Sequence, residues 1–479
     1  MKMLLVGNAG VRCVVTGMVL LAAAISPYAG AEADRPVNVI FAMTDDQGYG
    51  DVGYMGHRHL QTPVLDRMAE NGLRLDRFYA AAPVCSPTRA SVITGRHPNR
   101  SGTLTWGSAL REQEHTVATA LREAGYRTGF FGKWHVGSVR AGQPTSPGGH
   151  GFDVWSAAPN FYENDPWFSR NGTATQVYGE SSAVTVEEAL PFIREAVESN
   201  EPFFAVVWFG APHIPHDAVE ELKALYPGLP EQLQNYYGEI TGVDTAMGMI
   251  RDELRELGIE GDTVLWFTSD NGGRPQDGAE HRGLRGAKGE LWEGGIRVPA
   301  LVEWPGRIEP RISRLPAGTV DIYPTLLELA GVEPGHARPM DGISLVPFFE
   351  GRMQSRSQPL GFWQYGVAQG QLMHSDNMLR RLYEQQQAGQ PEDINDGRVY
   401  GPDLDYPEAD DRPGPSAWID GAWKLHRRDN GDHLLFHLVD DEGEQNNLID
   451  QHPERAQQMQ AELREWEESV IGSMRGEDY

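Results

Sequence analysis

Val37-Asn38-Val39-Ile40-Phe41-Ala42-Met43 runs directly into Thr44-Asp45-Asp46-Gln47-Gly48-Tyr49-Gly50-Asp51. The nearly unbroken apolar run reads as a strand buried on both faces, and the polar string marks its carboxyl end. Two further stretches repeat this form. Phe203-Phe204-Ala205-Val206-Val207-Trp208-Phe209 leads to Gly210-Ala211-Pro212-His213, and Thr263-Val264-Leu265-Trp266-Phe267-Thr268-Ser269 leads to Asp270-Asn271-Gly272-Gly273. Val298 to Trp304 is a fourth such strand, and a shorter one from Tyr126 runs into Gly132-Lys133-Trp134-His135. Helical spacing over 64–71, 88–94, 116–123, 185–200, 233–257 and 319–330 fills the intervals, with Pro87 at the expected start of the second helix. Apolar strands alternating with helices predict an α/β fold, a large mostly parallel sheet sandwiched by helices. Residues 141–180, rich in Gly, Pro, Asn and aromatics, are expected to form a long surface excursion.

Ligands of open α/β sheets bind outside the carboxyl ends of the strands. The polar residues here collect at those ends: Asp45 and Asp46, His213, Asp270 and Asn271, with Lys133 and His135 after the short strand. One aspartate after a strand is ordinarily a cap or turn former. Four strands ending this way point to a site. Three carboxylates and an amide carbonyl without a thiolate cluster suit a hard cation such as Ca2+ or Mg2+, which would also relieve their mutual repulsion. Arg89, Lys133, His135, His213 and Lys288 supply cationic and proton-transferring groups. Together they suit a tetrahedral oxyanion ester, sulfate or phosphate, whose leaving oxygen gains charge and needs a proton.

The chain of 479 residues holds 41 Lys+Arg against 68 Asp+Glu, a formal charge of −27. That balance excludes nucleic acid as a partner, because phosphate backbones require a basic face. Lys2 and Arg12, the apolar run Cys13–Ile25 and the small residues Ala29-Gly30-Ala31 read as a signal peptide over 1–31. Export to the periplasm or the medium is expected, with no stable membrane insertion, since the apolar run is too short to span comfortably. Its removal takes Cys13 and leaves Cys85 alone, so no intramolecular disulfide can form. A catalytic domain is expected over 34–350. A smaller C-terminal α+β subdomain is expected over 351–479, with a small antiparallel sheet (418–426 and 433–439) and a terminal helix from Pro453 to Ile471. Residues 366–416 are polar and loop-rich.

Cys85 lies in Pro83-Val84-Cys85-Ser86-Pro87-Thr88-Arg89-Ala90-Ser91, followed by Thr94-Gly95-Arg96. A lone cysteine is either a small buried hydrophobe or a reactive centre. Cys85-Ser86-Pro87-Thr88-Arg89 with Thr94-Gly95-Arg96 resembles the first sulfatase signature, C-x-P-[S/T]-R followed by T-G-R. Gly125-Tyr126-Arg127-Thr128 through Gly132-Lys133-Trp134-His135 resembles the second. Asp45-Asp46, Asp270-Asn271, Arg285-Gly286-Ala287-Lys288 and Glu293-Gly294-Gly295-Ile296-Arg297-Val298-Pro299 extend the match, and Trp423-Lys424-Leu425 and Glu444-Gln445-Asn446-Asn447-Leu448 are similar to the family's closing segment. Thr88 stands where serine is commoner, and Gln47 where many relatives have an apolar residue.

The resemblance is to type I, formylglycine-dependent sulfatases of the alkaline phosphatase superfamily, most like bacterial exported polysaccharide sulfatases. It implies that a formylglycine-generating enzyme oxidises Cys85 to formylglycine (3-oxoalanine), whose hydrate attacks sulfur. It implies one Ca2+ held by Asp45, Asp46, Asp270, Asn271 and residue 85. Arg89 and Lys133 would steady the hydrate and the sulfate. Lys288 and His213 would contact the sulfate, one of them protonating the leaving alcohol, and His135 would assist breakdown of the sulfated intermediate. Export, acidity and the polar stretch fit a sulfated carbohydrate as substrate, an algal or matrix polysaccharide or oligosaccharide. His281, Arg282 and Trp363 are candidate substrate contacts. Phe152, Trp155, Phe161, Tyr162, Trp167 and Phe168 either stack on sugar rings or pack internally. The alternatives are a phosphatase or phosphonate monoester hydrolase on the same scaffold, an arylsulfatase acting on small aryl sulfates, and a carbohydrate-binding pseudoenzyme.

Overall fold

The computed structural model describes residues 36–365, 374–392 and 412–479. The expected signal peptide and most of the polar stretch 366–416 lie outside the described residues. The strands in chain order are β1 (Asn38–Thr44), β2 (Leu73–Leu75), β3 (Phe78–Tyr79), β4 (Arg127–Lys133), β5 (Val154–Ala158), β6 (Trp167–Arg170), β7 (Thr173–Gln176), β8 (Phe203–Trp208) and β9 (Thr263–Ser269). They continue with β10 (Arg297–Val298), β11 (Ala300–Glu303), β12 (Arg311–Ser313), β13 (Ala317–Gly318), β14 (Leu360–Trp363), β15 (Ser416–Asp420), β16 (Trp423–Arg427) and β17 (His433–His437).

Ten strands form one sheet in the order β12-β2-β11-β9-β1-β8-β4-β5-β6-β7. Its centre is parallel. Phe41 of β1 registers with Trp266 of β9 on one side and with Val206 of β8 on the other, and β4 pairs parallel with β8 and β5. Every residue of β8 and β9 is buried, as the apolar runs predict. Helices Pro63–Asn71, Ser181–Glu198 and Glu231–Glu256 supply apolar residues to the core on one face of these strands, among them Leu65, Ile193 and Met247. The expected α/β fold with a mostly parallel sheet is what the chain adopts.

Two expectations require correction. The apolar run from Val298 to Trp304 is not one strand. Pro299 lacks the N–H a continuous ladder needs, and the run divides there. Arg297–Val298 joins a three-stranded sheet with β3 and β13, while Ala300–Glu303 pairs antiparallel with β9. Residues 141–180 are likewise more than a surface excursion. They contain β5, β6 and β7, which complete one edge of the large sheet, and Phe152, Phe161, Tyr162 and Phe168 are buried. Strands of four or five residues between glycine turns are too short for periodicity to reveal them.

β14 to β17 form a four-stranded antiparallel sheet, in sequence order. The expected hairpin is three strands, because Gly421, with a left-handed φ of +57°, turns the chain between β15 and β16. The helix Pro453–Met474 packs Leu463, Trp466 and Val470 into the core shared with Trp363 and Trp418. Large sheet, small sheet and terminal helix all belong to one compact unit, Pro36–Tyr479. Among the described residues, no helix is long and apolar enough to cross a membrane.

Candidate active site

Four adjacent parallel strands, β9, β1, β8 and β4, deliver Asp270–Asn271, Asp45–Asp46, His213 and Lys133 to one edge of the sheet. Backbone hydrogen bonds lace these ends together: Asp45 N–H donates to Ala211 O at 3.0 Å, and Asp270 N–H to Thr44 O at 3.1 Å. Gly132, just before Lys133, adopts φ +104°, and a Cβ there would lie 1.9 Å from Trp208 O, so only glycine lets β4 come this close to β8.

The nucleophile candidate enters from the side. The helix Cys85–Thr94 begins at Cys85 itself, after extended Val84, and ends at Gly95, whose φ of +68° closes it. The expected start at Pro87 is therefore two residues late. Pro87 occupies the third helical position, where its missing N–H has no intrahelical partner to lose. Cys85 and Arg89, four residues apart, share the face turned to the strand ends. Arg89 Nη2 donates to Asp270 Oδ2 at 2.7 Å and Nη1 to Lys133 O at 3.0 Å, and its guanidinium lies over the Trp208 ring at 5.1 Å. Trp208 has no part in the sequence-based set. Its position as the last residue of an apolar strand was the available signal.

Lys133 Nζ donates to Asp45 Oδ2, and Lys288 Nζ donates to Asp46 Oδ2 at 2.6 Å while standing 3.6 Å from Cys85 Sγ. Lys288 N–H donates to Gly273 O, and Gly289 N–H to Pro83 O, so its loop is tied both to the β9 end and to the stretch before Cys85. Asp46 holds a left-handed φ of +68°, its N–H donating to Asp270 Oδ1 and its Oδ1 accepting from Asn271 Nδ2 at 2.7 Å. Backbone strain of this kind in a residue with a Cβ persists where the surroundings over-determine it. His213 stacks on Phe161, centroids 4.9 Å apart, with Nδ1 2.5 Å from Ile214 O. That contact places its proton on Nδ1 and leaves the Nε2 lone pair facing Asp46 Oδ2, 3.7 Å away.

The electrostatics follow from burial and pairing. Burial pushes the Cys85 thiol up to about 12, so as a thiol it is a poor nucleophile at neutral pH. Burial holds the His213 imidazole down at about 4, hence neutral. Burial, with Asp45 beside it, raises the Asp270 carboxyl to about 7. Burial also acts against Asp45, but Lys133, His213 and Arg89 outweigh it and hold its carboxyl well below the usual range. Burial works against the Lys288 ammonium as well, and Asp46 more than offsets it.

Ligand atoms of Asp45, Asp46, Cys85 and His213 all lie within 4.8 Å of one another. Among the described residues, Asp45 Oδ1 and Asn271 Oδ1 are buried and accept no hydrogen bond, with Arg89 Nη2 standing 3.5 Å from the former. Buried acceptors left without donors beside converging carboxylates fit a hard divalent cation. Asp270 sits in the same cluster with each oxygen already engaged, one by Arg89 and the other by the Asp46 N–H. His135 is buried at the end of β4 with φ +55°.

The remaining candidates lie elsewhere. His281 is buried between two loops, Nδ1 2.8 Å from Gly286 O and Nε2 3.1 Å from Gly273 O, and so braces the segments that carry Asn271 and Lys288. Arg282 is exposed and faces Glu280 at 3.6 Å. Trp363 cannot meet a substrate. It is 1% exposed in the core beneath the small sheet, with its indole N–H donating to Pro413 O. Of the aromatics of 152–168, Phe152, Phe161, Tyr162, Trp167 and Phe168 are buried, Phe161 against His213, and Trp155 is half-buried. Thr94-Gly95-Arg96, the second half of the signature, turns away from the cluster. Arg96 Nη1 donates to Glu114 at 2.7 Å, Nη2 pairs with Asp478, and the guanidinium lies over Tyr479.

Comparison with known proteins agrees with this geometry. N-acetylgalactosamine-6-sulfatase of Canis lupus familiaris is 33% identical over 391 residues, covering 72% of each chain. Steryl-sulfatase of Mus musculus is 29% identical over 431 residues, covering 69% of this chain and 68% of that one. The solved structure of Ps i-CgsB in complex with k-i-k-neocarrahexaose superposes with a TM-score of 0.76 at 24% identity, over 90% of this chain and 93% of that one. Residues 37–332, which contain Asp45, Asp46, Cys85, Arg89, Lys133, His135, His213, Asp270, Asn271 and Lys288, match the Sulfatase family. The chain belongs to the sulfatase family and is a sulfatase of the alkaline phosphatase superfamily.

Proposed function

We propose that this sulfatase removes sulfate from a sulfated carbohydrate. The observation that carries the reading is Cys85, buried at the first position of its helix and 3.6 Å from Lys288 Nζ, amid converging carboxylates. The family resemblance of the Cys85–Arg89 string makes Cys85 the precursor of formylglycine, converted by a formylglycine-generating enzyme, and its hydrate supplies the nucleophilic oxygen. Asp45, Asp46, Asp270 and Asn271, with residue 85, would hold Ca2+, which supplies charge compensation for the sulfate oxygens.

The chain's own groups account for the rest. Arg89 and Lys133 fix the carboxylates and present positive charge to the sulfate. Lys288, 17% exposed at its side chain, reaches the surface of the cluster. As the protonated member of the pair it is the better placed donor to the leaving alcohol, because neutral His213 offers a lone pair instead. His135 takes up the proton when sulfate departs. Residues 1–31 would direct export to the periplasm or medium.

A sugar substrate is supported by the 33% identity to proteins named N-acetylgalactosamine-6-sulfatase. The steryl-sulfatase similarity keeps small hydrophobic sulfates as the second reading. Peptide mapping of the Cys85 segment after co-expression with the converting enzyme, coupled to sulfate release from N-acetylgalactosamine 6-sulfate and from an aryl sulfate, tests the reading. Formylglycine at residue 85 and sulfate release abolished by Cys85→Ala are expected. A persistent thiol together with full activity of Cys85→Ala would end it.

A further inference from the structure

A cleft of about 670 Å³ opens next to the nucleophile, between the Lys288 loop and the small C-terminal sheet. Val84 and Gly289 line it, the chain neighbours of Cys85 and Lys288. Gln364, on the opposite wall, donates from Nε2 to Gly289 O at 2.8 Å and so joins the two sides. A volume of this size accommodates a ligand of several rings, more than a single sulfate ester requires.

The charges on the wall are selective. Arg427 is tied to Glu467 at 2.9 Å. Arg428, its neighbour at the end of β16, is exposed, and among the described residues no acid pairs with its guanidinium. Arg285 is exposed yet fixed: its guanidinium lies 3.6 Å above the Trp292 ring, and Nη1 donates to Glu444 O at 3.1 Å. Two acids share the wall. Glu290 accepts from Ala287 N–H at 3.1 Å, and Asp429 is exposed. A chain with a net charge of −27 repels polyanions as a whole, so exposed arginines on the wall of a cleft that Val84 and Gly289 also line act as a local anion trap. Acids interleaved with them are acceptors for sugar hydroxyls.

We propose that this cleft seats the sugar adjacent to the one that loses its sulfate, with Arg428, assisted by Arg285, binding a second anionic group, sulfate or carboxylate, on that neighbouring sugar. The inference rests on the carbohydrate-sulfatase reading and names the substrate class within it: an oligosaccharide charged on consecutive sugars. Arg285 presents its remaining N–H groups in a set orientation. Arg428 adapts its reach to the position of the charge.

The test uses binding, so it does not depend on turnover. Full-length Cys85→Ala is titrated calorimetrically with three disaccharides of N-acetylgalactosamine 6-sulfate, whose second sugar is galactose, glucuronic acid or galactose 6-sulfate. One or both charged disaccharides are expected to bind about tenfold tighter than the neutral one, the scale of one charge-assisted hydrogen bond. Arg428→Ala in the same background is expected to bring the preference to within about twofold, and added salt to erode it. Which charged arm binds tighter identifies carboxylate or sulfate as the recognised group. Equal affinity for all three, or a preference that survives Arg428→Ala, overturns the proposal. Absence of sulfate release by the unsubstituted enzyme would instead strike the proposed function, so the two failures are distinguishable.

Discussion

Two clusters of buried charge, one at the strand ends and one under the small sheet, use the same residue types to different ends. In the second, Lys424 Nζ donates to Glu293 Oε1 at 2.9 Å and lies 3.0 Å from Glu444 Oε1. Tyr79 O–H donates to Glu293 Oε2, the Glu293 N–H to Glu444 Oε2, and His426 Nε2 lies 2.6 Å from Glu444 Oε1. Each carboxylate oxygen there has a donor. At the strand ends, Asp45 Oδ1 and Asn271 Oδ1 have none, and Asp46 holds a left-handed backbone. A network with every group satisfied rigidifies a fold. One that leaves acceptors bare and backbone strained is arranged for something that binds. The pair shows that buried charge alone does not mark a site; converging carboxylates with acceptors left bare do.

The sharpest way to break this contrast is to remove one lysine from each cluster. Lys424→Met leaves two glutamates buried without their cation and should destabilise the protein by about 3–5 kcal/mol, read by denaturant unfolding, while the folded fraction keeps its specific activity. Lys288→Ala should do the reverse, lowering kcat about 10²–10³-fold in sulfate-release assays, with less loss of stability than Lys424→Met. Similar losses of stability in both variants would mean that the clusters do not differ in kind.

Metal removal sharpens the comparison further. Calcium at a hundredfold excess over its Kd should stabilise the protein by about 2.7 kcal/mol relative to chelated protein, seen as a rise in Tm. Asp46→Asn should abolish that response, and Lys424→Met should retain it.

The smallest effect is a pH slope. Burial works against Glu444, but Lys424 and His426 outweigh it and hold its carboxyl at about 2, against 4.5 ordinarily. The folded-state value is depressed, so the stability it contributes is present above pH 4.5 and is lost as pH falls from 4.5 toward 2. Glu444→Gln should flatten the fall in Tm across that window, by at most about 1.4 kcal/mol per pH unit.

The sequence discloses the strand-end carboxylates because they follow unbroken apolar runs, as Asp45 follows Val39–Thr44 and Asp270 follows Thr263–Ser269, whereas Cys85, Arg89 and Lys288 follow no strand and are legible only through their motifs. It discloses little of the second cluster. Glu293, Lys424 and Glu444 stand in recognisable motifs, but their meeting depends on pairings 131 and 151 residues apart, which no local pattern encodes. Trp363 misleads for the related reason that an aromatic in a polar neighbourhood resembles a binding residue until the sheet around it is known. Phe161 and Trp208, which hold His213 and Arg89 in place, leave the same ambiguous trace as any core aromatic.

The turn that follows the Cys85 helix has a bearing on timing during synthesis. Arg100 grips Ser469 and Ser473, partners that lie 369 and 373 residues further along the chain. At 5–20 residues per second a ribosome needs roughly 20 to 70 s to make that interval. Until then the helix of Cys85 lacks one of its anchors. In the finished fold the thiol is 2% exposed, out of reach of another protein's active site. If Cys85 is the formylglycine precursor proposed above, its conversion belongs to this early period, and a chain that folded before modification would keep an inert thiol at the centre of the site.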